Sequence, residues 1–174
     1  MKLSSNPSLF VFTLIASALA FSAQAHEIRY IGNGYVIQVG DDVEPPIANQ
    51  TNGVDFIAGY ETTPGDISTI TPVDRTAGDV VEVVALPLKL QYETFNSPIT
   101  QVFPLLTTFQ DTTVDGFPGL VSNFTFPSIG TYGYIVAGKI KKQGHSDKFF
   151  VEKFVCGAGS QDTTYGSSFE CVAQ

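Results

Sequence analysis

From residue 35 to residue 155 the apolar positions fall into short runs rich in Val, Ile, Tyr and Phe, each closed by Gly, Pro, Asn or Asp. Branched and aromatic runs punctuated in this way form strands joined by turns. Strands are expected over 35–39, 54–60, 80–86, 88–92, 120–126, 132–140 and 148–155. Alternation is cleanest where Leu88, Leu90 and Tyr92 interleave with Lys89, Gln91 and Glu93, which predicts one buried and one wet face. No long amphipathic helix is signalled. Seven or eight strands with no helices to cover a parallel sheet predict an all-β fold, an antiparallel immunoglobulin-like β-sandwich.

The turn residues refine that expectation. Asn33-Gly34 is a two-residue hairpin signal that would fold 27–31 back on 35–39. His26 would then end beside Gly40 and the acidic stretch that follows it, with His145 at the opposite end of the sandwich. Gly130-Thr-Tyr132, after Phe126-Pro127, predicts a tyrosine corner at the entry to a long strand. Residues 141–147 predict the hairpin into the last strand, with Gly144 at its turn. Residues 41–52, with Pro45 and Pro46, are expected as a loop or a crossing between sheets.

The start of the chain has a different pattern. Lys2, an apolar stretch from Leu9 to Phe21 and the small-x-small run Ala23-Gln24-Ala25 predict a signal peptide over 1–25, cleaved before His26. The apolar stretch is about 13 residues, well short of the roughly 20 that span a bilayer. The expected product is a periplasmic or secreted single domain of 149 of the 174 residues, with no membrane insertion after cleavage. Loss of Lys2 moves the formal charge from −8 to −9. That balance excludes nucleic acid and anionic lipid as partners, which need clustered Lys and Arg, and is compatible with cations.

Both cysteines, Cys156 and Cys171, lie near the C-terminus, flanking a Gly/Ser-rich polar segment. In an oxidising compartment they are expected to form one disulfide, worth about 3 kcal/mol of unfolded-state entropy for a loop of this length. The organisation expected is therefore a sandwich over 26–156 and a disulfide-closed polar tail over 157–174.

Further residues carry a resemblance. Gly34-Tyr-Val-Ile-Gln-Val-Gly40, Glu44-Pro-Pro46 and 49–56, with Pro118-Gly119, Phe126-Pro127, Gly130-Thr-Tyr132 and Gly138-Lys-Ile140, resemble small exported domains of the CopC and YtkA-like, copper-associated group. Many of that group begin their mature chain with His-Glu, as His26-Glu27 would here. The resemblance implies an exported sandwich and, less directly, copper handling. The chain departs from the group in having Asp41-Asp42 where an aromatic often follows the glycine, and in its cysteine-flanked tail.

The ligand inventory restricts the metal chemistry. Beyond Met1 there is no methionine, so a thioether Cu(I) site is excluded. A terminal histidine supplies an α-amine and a ring Nδ1 to one ion, an arrangement suited to Cu(II). Candidate ligands are His26 with the carboxylates of Asp41, Asp42 and Glu44, or with His145 in their place. No catalytic residues are expected: His26-Glu27-Ile-Arg-Tyr30 lacks the second histidine of a zinc-protease helix, and neither a nucleophile elbow nor a phosphate loop occurs. A histidine-brace mono-oxygenase would need a second histidine beside the first. The expected function is an exported, non-enzymatic binding protein with Cu(II) on His26 and a copper-handling or other exported protein as partner. The alternative is a metal-free interaction module docking on a protein or cell-surface component.

Overall fold

The computed structural model describes residues 26–155 and 172–174. The expected leader (1–25) and the expected disulfide partners Cys156 and Cys171 lie outside those residues. The described chain forms two antiparallel sheets, as the patterning implies, with only two single 3₁₀ turns, Ile67–Thr69 and Arg75–Ala77, as helical elements. The first sheet contains β1 (Glu27–Gly32), β2 (Tyr35–Asp41), β3 (Thr51–Glu61), β8 (Phe117–Thr125) and β7 (Gln110–Val114) in that order, with β4 (Ile70–Pro72) also paired to β3. The second runs β10 (Lys148–Val155), β9 (Gly130–Lys141), β5 (Val80–Leu90) and β6 (Ile99–Val102), with β11 (Val172–Ala173) paired to β9.

Eleven strands are thus found among the described residues, where seven or eight were expected. The difference lies largely in short or polar strands. β6, Ile99-Thr-Gln-Val102, has four residues, all exposed, and β7, Gln110-Asp-Thr-Thr-Val114, is polar and exposed in all but its last residue, so neither gives a run of apolar positions. The expected break at Pro87 does not occur, and β5 is continuous. Ala85 exchanges two backbone bonds with Leu106 on the edge away from β9, and on that same edge Pro87 offers only its carbonyl, to Phe103 N–H at 3.1 Å. A proline is tolerated where the ladder needs no donor from it. Residues 42–50 join β2 to β3 within one sheet and do not cross the sandwich.

The core between the sheets is dominated by Tyr35, Phe56, Phe126, Tyr132, Tyr134 and Phe154. Tyr132 is fully buried and its hydroxyl donates to the Ser128 carbonyl at 2.7 Å, the tyrosine corner expected from its context. Leu88 and Leu90 are buried as expected, yet they belong to a separate small cluster with Val155, packed against Phe95 and Ile135. Tyr92, beyond the strand end, is 55% exposed. Lys89, expected on the wet face, instead reaches Ser128 Oγ at 2.6 Å and lies 5.7 Å from the Tyr132 ring.

The end of the chain joins the sandwich. Ala173 is buried, and Gln174 exchanges backbone bonds with Pro46 and Ala48 of the β2–β3 loop. Val155 and Val172 pair with Gly133 and Thr131, so the chain leaves and rejoins the same edge of β9 two register positions apart.

Candidate functional site around His26

The Asn33-Gly34 turn, both residues at positive φ, closes the β1–β2 hairpin and aligns Glu27 with Val39. His26 therefore arrives next to Gly40, where its ring lies over the glycine. A Cβ on Gly40 would come within 2.2 Å of His26 Cδ2, so this close approach requires glycine.

Gly40 pairs with Asp55 across β2–β3, and directly paired residues present side chains on the same face. His26 Nε2 accordingly lies 3.6 Å from Asp55 Oδ2. Asp115, in the β7–β8 turn with φ 52°, reaches over the sheet and brings Oδ2 within 3.3 Å of His26 Nδ1. His26 is only 5% exposed, yet neither ring nitrogen makes a hydrogen bond of good geometry among the described residues, and Asp55 Oδ1 has no partner there either.

Electrostatics follow from this crowding. Burial alone would lower the His26 pKa, but the neighbouring carboxylates of Asp55, Asp115 and Glu44 outweigh it and hold the ring above its ordinary 6.5. Burial raises Asp55 above the usual carboxylate range, and Asp42 and Asp115 add to that, while His26 opposes it.

The structure separates the sequence-derived candidates. Glu44 acts electrostatically on both His26 and Asp41. Asp42 is exposed and acts on Asp55. Asp41 follows Gly40 and so points to the other face of the pleat, into the core, where its Oδ1 accepts from Tyr134 Oη at 2.6 Å. Burial pushes the Asp41 carboxyl well above its ordinary range, only partly offset by that bond, and burial with the Asp41 charge likewise raises the Tyr134 hydroxyl. His145 packs against Tyr60 with ring centroids 4.0 Å apart and the rings tilted by 36°, at the Tyr35–Tyr60 end of the strand pair. That end is five register positions from Gly40–Asp55, about 17 Å at about 3.4 Å per residue. It stands away from His26, as the hairpin geometry implies.

Asp55 and Asp115 escaped the sequence reading. Asp55 had a signal, as a carboxylate inside the otherwise apolar run Val54 to Ala58. Asp115-Gly116 had one too, a two-residue hairpin dipeptide. Among the described residues no group of three or more His, Cys, Asp and Glu side chains is arranged to hold a metal. A site here would depend on a backbone group, the α-amine.

No protein-family profile and no curated protein sequence matches the chain. Among solved structures it is similar to a DUF4426 family protein from Pseudomonas aeruginosa PAO1, at 11% identity and a TM-score of 0.46, over 76% of this chain and 95% of that one.

Proposed function

We propose that the protein is an exported, non-enzymatic binding protein of the CopC-like kind whose mature N-terminus, His26, holds one Cu(II) ion. The observation that carries this reading is the carboxylate of Asp115 lying 3.3 Å from Nδ1 of a buried histidine, with Asp55 on the other ring nitrogen. The residues fit the ion. Cleavage before His26 would release an α-amine next to Nδ1, so one residue supplies two nitrogen ligands and Asp115 an oxygen. Asp55 at Nε2 would orient the ring, as carboxylates do behind metal-bound histidines. Asp55 is raised chiefly by burial, with Asp42 and Asp115 adding to it, and a bound cation would favour its charged form.

Copper titration of the mature protein, followed by paramagnetic resonance, tests the proposal. One Cu(II) with nitrogen hyperfine structure is expected. A chain extended by one residue before His26 loses the amine and should lose that site at unchanged stability, and Asp115→Asn should weaken it at least tenfold. Equal binding by the mature and extended proteins, or binding by neither, rejects the copper reading. A metal-free interaction module then takes its place, supported by Phe149 and Val151, each 71% exposed on neighbouring outward positions of edge strand β10.

A further inference from the structure

A second feature lies away from His26, between the sheets. A cavity of ≈ 190 Å³ is floored by Phe56, Ala58, Val73, Val81 and Leu120, all buried. Its outer wall is polar. Arg75, in the 3₁₀ turn of the segment crossing from β4 to β5, donates from Nε and Nη2 to both oxygens of Asp111 on β7, each at 2.8 Å. This bidentate pair joins the two sides of the mouth. Thr76 and Thr112 also line it.

We propose that this cavity is a binding site for a small uncharged aromatic or branched-alkyl molecule carrying one hydroxyl or carbonyl oxygen. Size and lining point to the apolar part: an engineered apolar cavity of about 150 Å³ in another protein binds benzene. The charge at the mouth points to neutrality. Arg75 is engaged by Asp111, while Asp74 beside it is committed to Thr76 N and Oγ1, at 2.8 and 2.7 Å. An anion would have to displace Asp111 and face Asp74. A cation would find both carboxylates already engaged, Asp111 by Arg75 and Asp74 by Thr76. Either charge would also lose its hydration against the apolar floor. One neutral oxygen at the mouth finds donors in the N–H groups of Arg75 beyond the two that Asp111 holds, and in the hydroxyl of Thr112. Arg75 and Val81 also border a broad groove of ≈ 960 Å³, lined by both apolar and charged side chains, that extends past Phe109 to Phe149 and Val151.

Benzyl alcohol, benzoate and benzylamine share one ring and differ in charge, and their titration into the protein tests the site. Benzyl alcohol is expected to saturate, with nuclear Overhauser contacts from its ring protons to the methyls of Val73, Val81 and Leu120. Both charged analogues should bind at least tenfold more weakly. Ala58→Leu, which extends into the floor, should weaken benzyl alcohol at least tenfold. The contacts in the unsubstituted protein decide the matter should that variant fail to fold. Failure to saturate, contacts confined to Phe149 and Val151, or a charged analogue binding tightest would overturn the proposal.

Discussion

Removing one hydroxyl from the core tests the construction of the sandwich. In Tyr132→Phe the ring stays among Phe103, Phe124 and Phe126, whose centroids lie 4.7–6.4 Å from it, so packing is preserved. What is lost is the 2.7 Å bond to the Ser128 carbonyl, with a longer 3.3 Å contact to Ser128 Oγ, both made by a fully buried residue. Leaving a buried acceptor without its donor costs about 1–2 kcal/mol. The low end applies if Lys89 Nζ, already 2.6 Å from Ser128 Oγ, swings to the carbonyl. With a urea slope of about 2 kcal/mol/M, the unfolding midpoint should fall by about 0.5–1 M at unchanged slope. Tyr132→Ala, which also empties the site, should cost about 3–5 kcal/mol. An unchanged midpoint for Tyr132→Phe, or a loss as large as that of alanine, would refute the corner as the source of the bond's contribution.

Stability should be greatest on the acidic side of neutrality. His26, with its pKa raised on folding, contributes below about 6.5 and loses that contribution as pH climbs through its folded value, while the raised Asp41 and Asp55 penalise the folded state until they take up protons. The gain reverses below about pH 4. Asp79, whose burial is outweighed by Gln143 and Asp74 N–H groups and Lys142, and Asp111, held down by Arg75, have lowered pKa values and lose their contributions as they protonate. Urea midpoints at pH 8, 5.5 and 3 check this, and a maximum at pH 8 would contradict it. Gly40→Ala, whose Cβ would sit 2.2 Å from His26 Cδ2, should cost about 1–3 kcal/mol and weaken Cu(II) at least tenfold, read by denaturation and titration. Intact mass of the exported, non-reduced protein should correspond to a start at His26 and one Cys156–Cys171 disulfide. Two free thiols or another start would remove that expectation.

The sequence by itself determined the strand-and-turn character of the chain, the Asn33-Gly34 hairpin, the tyrosine corner and the 141–147 turn. Each is set by near neighbours, through the two-residue alternation of a pleat or the φ angles that particular residues accept. The same local rule carried His26 to Gly40, whereas the choice of Asp41 as a ligand left out strand parity, which turns that carboxylate to the other face. Only the tertiary structure decided which residues gather at the histidine, because Asp55 arrives by pairing of β3 with β2 and Asp115 by the β7–β8 turn folding over the sheet. It also decided what covers each face. Leu88 and Leu90 are buried as their alternation implies, but against Phe95 and Val155 and not in the core between the sheets, while Lys89 lies beside the corner tyrosine. Alternation shows that a strand has two unlike faces. Which face meets the opposing sheet depends on contacts between residues far apart in the chain, and no local periodicity encodes these.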